Sequence, residues 1–173
     1  MTPEAILALF EKNGNQFSGR NLATAMHRIG KLGGRNVRQD PRLAQMIEMC
    51  GRRIGDFKPQ EIANSAWGCA KIGITDQRFF NAVAEEVSRQ IEKFNPQAMA
   101  NTVWAFATAG VAADSLFKAV AAEFPRRIGE FNAQAMGSTV WAFATASVAA
   151  DPLFKAVAAE VPRRSGQDRK SVV

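Results

Sequence analysis

Residues 94–110 read FNPQAMANTVWAFATAG and residues 131–147 read FNAQAMGSTVWAFATAS, two near-copies set 37 residues apart. A third, FKPQEIANSAWGCAKIG, begins 37 residues before the first, at Phe57, and brings Trp67, Trp104 and Trp141 into register. A more diverged copy, FSGRNLATAMHRIGKLG, starts at Phe17, with His27 at the tryptophan position and three extra residues in the loop that follows. A match of this length at a fixed period is an internal repeat, and it decides the architecture before any single element is assigned.

Each copy divides into two helices. In the copy from Phe94, Asn95 is an N-cap, Pro96 takes the first helical position, where its missing N–H costs nothing, and Gly110 ends the helix in the left-handed conformation. This is helix A. Asp114 starts helix B, as Asp40 before Pro41 and Asp151 before Pro152 do in other copies, and Pro125 and Pro162 mark its end. Leu116, Phe117, Val120 and Phe124 recur at helical spacing, as do Leu153, Phe154, Val157 and Val161, so helix B carries a broad apolar face. One such pair cannot bury both faces, whereas stacked pairs share one continuous core. The sequence therefore predicts an all-α chain: an α-solenoid of stacked antiparallel helix pairs with a 37-residue repeat. Residues 1–167 form the helical repeat domain, with repeats from about 17, 57, 94 and 131 and residues 1–16 as a partial preceding unit supplying a helix B.

Composition agrees. Of 173 residues 47% are apolar and 22% charged, and no apolar run reaches a membrane span, so no membrane insertion is expected. Lys and Arg outnumber acids 22 to 16, giving a net charge of +6, which suits an acidic partner such as nucleic acid. Cys50 and Cys69 are isolated from each other and from the single histidine, His27, so neither a metal site nor a disulfide framework is indicated, and a reducing compartment fits. No nucleophile-and-base pairing, phosphate-loop glycine motif or acidic pair stands out. The expectation is no catalytic residue, no metal, no cofactor and no enzyme. The opening MTPEAILALFEKNGNQ does not read as a targeting segment. Asp168 to Val173, DRKSVV, resembles a translated sequencing adapter, so residues 168–173 are expected to be a non-native, unstructured tail of a truncated chain.

The segments FKPQEIANSAWGCAKIG and FNPQAMANTVWAFATAG, with NLATAMHRIGKLGG upstream, resemble the octotricopeptide-type helical repeats found beside RAP domains and related to the FAST-kinase-like proteins. The resemblance covers residues 1 to about 166. It implies binding of single-stranded RNA and control of organellar transcripts, through processing, stability, splicing or translation in mitochondrion or chloroplast. Other proteins of an organellar ribonucleoprotein are the implied further partners.

Two residue sets are candidates for that work. On a helical wheel, helix A has a stripe that stays polar or small at spacings of four, four and three: Gln97, Asn101, Ala105 and Thr108 in one copy. Gln60, Asn64, Gly68 and Lys71 precede it, Gln134, Ser138, Ala142 and Thr145 follow, and the first copy gives Arg20, Thr24, Arg28 and Lys31. The polar members are candidate base readers, with the small residues giving a base edge room to approach; the same stripe also suits a merely solvated helix face. The second set closes helix B: Arg52 and Arg53, Arg126 and Arg127, Arg163 and Arg164, with Arg89 alone in the remaining copy. Lying beside the positive N-terminal ends of the A helices, they are candidate phosphate contacts, although the macrodipole alone favours arginine in a last turn. Trp67, Trp104 and Trp141 sit beside apolar positions and are expected in the core, with Met99 and Met136. The alternative to RNA binding is a protein-protein interaction scaffold, since solenoid faces take peptides as readily.

Overall fold

In the computed structural model, which describes residues 1–34 and 36–170 and the side chains as far as Ser165, the chain is all-helical. Helix α1 (Pro3–Asn13) precedes the first helix A and lies against the next two helices. The A helices are α2 (Gly19–Leu32), α4 (Pro59–Lys71), α6 (Pro96–Ala109) and α8 (Ala133–Thr145). The B helices are α3 (Pro41–Arg52), α5 (Gln77–Gln90), α7 (Asp114–Arg126) and α9 (Asp151–Lys170). Each A helix lies against the A helices before and after it, and each B helix against its B neighbours, which is the two-layered α-solenoid that the repeat demands. The A layer is much the tighter of the two, so the stack curves toward it and the A helices line the inner face.

Small residues set that tightness. A Cβ added at Gly68 of α4 would stand 2.3 Å from the carbonyl oxygen of Met26 in α2, and one added at Gly30 would stand 2.6 Å from the Cα of Gly68. The equivalent Ala105 and Ala142 are fully buried. Ser65, Thr102 and Thr139 are also buried; their hydroxyls donate to the carbonyls of Glu61, Ala98 and Ala135 one turn back, at 2.8 to 2.9 Å, so no polar group is stranded. Between layers, aromatic rings of helix B meet the following repeat's helix A edge to face: Phe80 with Phe106 at 4.9 Å and Phe117 with Phe143 at 5.0 Å.

The helix signals hold at the start of helix A and shift in helix B. Ser18, Asn95 and Asn132 cap α2, α6 and α8 by accepting the N–H of the third helical residue. Asp40 and Asp76 cap α3 and α5. Asp114 and Asp151, read as caps, instead lie inside the first turns of α7 and α9, where a carboxylate still favours the positive helix end. Pro125 and Pro162, read as terminators, fall within their helices, and α9 continues through Asp168 to Lys170, where a tail without structure was expected. No further breaker follows Pro162 except Gly166, which leaves the helix free to run on. Residues 171–173 lie outside the described residues. A single 3₁₀ turn after each of α3, α5 and α7, such as Ile54–Asp56 or Ile128–Glu130, leads to the buried phenylalanine that opens the next repeat.

Every helix A ends on a residue of positive φ: Gly33 at 68°, Gly73 at 71°, Gly110 at 65° and Ser147 at 54°. In the last three copies a hydrogen bond then reaches back, from Ile74, Val111 and Val148 to the carbonyls of Cys69, Phe106 and Phe143. Ser147 alone bears a side chain in this conformation, at a cost of about 1 to 2 kcal/mol. Ser147→Gly is expected to gain about 0.5 to 1 kcal/mol after glycine's extra chain entropy is subtracted, raising Tm by about 1 to 4 °C in a thermal melt. Gly68→Ala, whose methyl group meets backbone rather than a pliable side chain, is expected to lower stability by roughly 1 to 3 kcal/mol in urea unfolding.

Candidate nucleic-acid interface

The inner face of the A layer carries one partly exposed line along each helix, and it differs from the stripe drawn on the wheel. The line in α6 runs Gln97, Asn101, Trp104 and Thr108, at spacings of four, three and four, while Ala105 is turned into the contact with α4. The same correction holds for Gly68 and Ala142: these small residues admit the neighbouring helix, not a base. Their position lies about 80° around the helix from Gln97 and its equivalents, whereas the tryptophan position lies only about 20° away. Arg28 is the exception that explains the rule. It occupies the Gly68 position in α2, the first A helix of the described residues, and there it is exposed.

The tryptophans are thus partly exposed rather than core residues. Trp67 and Trp104 are half-buried and Trp141 is 45% exposed. With His27 they form one ladder across the four A helices, with ring centroids 4.8 Å apart from His27 to Trp67 and 6.3 Å apart from Trp67 to Trp104 and from Trp104 to Trp141. Successive planes differ by only 29° to 37°. Burial against Trp67, helped by the charge of Lys31, lowers the pKa of His27, so its ring is a neutral aromatic at neutral pH. The sequence held the signal, since the tryptophan position falls between two polar positions at helical spacing.

Of the predicted readers, Arg20, Thr24, Lys31, Gln60, Lys71, Thr108, Gln134 and Thr145 are exposed, and Asn64, Gln97, Asn101 and Ser138 are half-buried. All lie on this face beside the ladder. Gln60 donates to the side-chain oxygen of Asn64 at 3.0 Å and Gln97 to that of Asn101 at 2.8 Å. Each pair keeps the asparagine N–H₂ and the glutamine oxygen for an outside partner. Lys71 Nζ stands 5.7 Å from the Trp67 ring centre, a cation over an aromatic face. Arg20 reaches Glu61 of the next helix at 3.9 Å.

The arginine doublets divide into two roles. The second member is a staple: Arg53 donates to the carbonyl of Phe17 at 2.7 Å, Arg127 to that of Phe94 at 2.8 Å and Arg164 to that of Phe131 at 2.6 Å. It ties the end of each helix B to the residue that opens helix A of the same repeat. In the repeat without a doublet, Gln90 takes this position and bonds Glu86 instead. The first members, Arg52, Arg89, Arg126 and Arg163, fall in register, one per repeat, with side chains 67% to 78% exposed. Each leans on one carboxylate, Glu48, Glu86, Glu123 or Glu160, at 2.6 to 3.9 Å. Only Arg52–Glu48 is exposed at both ends, a surface pair worth about 0 to 1 kcal/mol; Glu86, Glu123 and Glu160 are largely buried beneath their exposed arginines.

Cys50 and Cys69 are buried free thiols; burial pushes Cys50 up to about 12 and Cys69 well above the ordinary thiol value, so both stay protonated. Among the described residues no cluster of three metal-ligating side chains occurs, and no helix is long and apolar enough to cross a membrane.

Fold and face together define an α-solenoid repeat protein with an aromatic and polar inner surface. More narrowly, the chain belongs to the RNA-editing substrate-binding complex 6 protein family, whose sequence model matches residues 12–164. No curated protein matches the chain.

The split of the doublets gives a direct test. Arg127→Ala is expected to cost about 1.5 to 3 kcal/mol in urea unfolding, through loss of a charge-assisted bond to the backbone. Arg126→Ala, next to it but exposed, is expected to stay within about 0.5 kcal/mol of the parent.

Proposed function

We propose that this chain is a non-enzymatic module that binds single-stranded RNA along the inner face of its A helices, with its phosphates held by the arginine row at the helix A N-terminal edge. The observation that carries this reading is periodicity. Every repeat offers one exposed arginine and one line of polar or basic side chains around an aromatic ring, and the set recurs at the helix-to-helix step of about 8 to 10 Å. A surface that repeats at a fixed step suits a polymer with a repeating charge. The net charge of +6 has the sign this requires.

The family supports the same reading, since its description names a complex that binds the substrates of RNA editing. The resemblance to octotricopeptide-type repeats extends it to post-transcriptional control of organellar transcripts, by processing, stability, splicing or translation. A mitochondrial or chloroplast ribonucleoprotein is then the setting, and its other proteins are the further partners.

Fluorescence anisotropy with labelled oligonucleotides at several salt concentrations tests this. Single-stranded RNA is expected to bind better than duplex DNA. Replacing Arg52, Arg89, Arg126 and Arg163 with Ala is expected to weaken binding to all sequences and to reduce the salt slope by about 0.7 for each phosphate no longer neutralised. Asn64→Ser with Asn101→Ser is expected to change base preference at nearly constant salt slope, because base-edge contacts release no counterions. Absence of binding at low salt would instead favour the protein scaffold.

A further inference from the structure

We infer that the ring ladder is a stacking site for nucleobases, taking one base between Trp67 and Trp104 and one between Trp104 and Trp141. This deepens the RNA-binding reading and rests on it. The geometry supplies the argument. Stacked nucleotides rise by about 3.4 Å, so a base held between two rings needs them about 6.8 Å apart. Successive indole centroids lie 6.3 Å apart, about half an ångström short of that spacing, with planes inclined by 30° and 29°. Half-buried side chains on exposed helix faces can yield by that much. The gap between His27 and Trp67, at 4.8 Å, is closed to a base and ends the ladder. Trp141, in the last A helix of the described residues, is 45% exposed.

The surroundings fit the same ligand. Asn64, Asn101 and Ser138 stand one turn before the rungs and Lys71, Thr108 and Thr145 one turn after, so a slotted base edge meets amide and hydroxyl groups. The free N–H₂ of Asn101 and the oxygen of Gln97 offer a donor and an acceptor beside the central rung. Stacking accepts any base, and the polar flanks add preference. Rings at 6.3 Å also lie within the ordinary range for aromatic pairs, so the rival is a ladder that only stabilises the A layer.

The chain has three tryptophans and no tyrosine, so its ultraviolet emission comes from the ladder itself. Titration of the full chain with a single-stranded eight-nucleotide oligouridylate is expected to quench that emission. Trp104→Leu and Trp141→Leu are each expected to weaken binding by about 5- to 150-fold at unchanged salt slope, while Trp104→Phe retains most affinity. An abasic oligonucleotide of the same length should bind the parent chain no better than it binds Trp141→Leu. If Trp104→Leu loses helical circular dichroism, the exposed Trp141 and the abasic comparison decide. Salt-dependent binding with unchanged emission, and with leucine variants and the abasic strand as good as the parent pair, overturns stacking and leaves RNA binding by the arginine row intact. No binding by anisotropy at low salt overturns both.

Discussion

The close approach of each helix A to the one before it is the constraint from which the rest follows. Gly68 places the backbone of α4 against the carbonyl of Met26, and the buried Ala105 and Ala142 hold the same place in α6 and α8. Larger side chains there would push the A helices apart and flatten the stack. Because they are absent, the A layer is tight, the face curves inward, and rings one repeat apart come within 6.3 Å of each other. The buried hydroxyls of Ser65, Thr102 and Thr139 serve the same end: they are small, and they satisfy themselves on their own helix without asking the neighbour for a partner.

The architecture was legible because a repeat states the same fold four times. Asn95, Pro96 and Gly110 mark the limits of a helix A by local chemistry, and local chemistry decides there. Helix B was harder at its ends. A proline near a last turn, as Pro125 is, only has to give up one N–H bond, and packing of Phe124 onto Phe131 holds that turn in place regardless. The family was legible only coarsely from the residues: they pointed to RNA-associated helical repeats, while the match over residues 12–164 names an RNA-editing substrate-binding complex 6 protein.

The face was half legible. Its polar members were found, since amides and hydroxyls recurring at helical spacing need no structure to be noticed. The tryptophans were assigned to the core because a large apolar ring is ordinarily buried, and nothing in one helix reveals that the rings of successive repeats cover one another. Whether Ala105 or Trp104 faces outward depends on about 100° of rotation, and the direction of the next helix A fixes that angle. The two arginines of a doublet are alike in sequence and differ only in what lies within reach, which for Arg127 is the carbonyl of Phe94 and for Arg126 is solvent with Glu123 beside it.

Gln90 makes the stack uneven. Three repeats have their layers clipped together by a guanidinium, and the one that begins at Phe57 does not. The second repeat is therefore the joint at which this charge-assisted bond between the layers is missing.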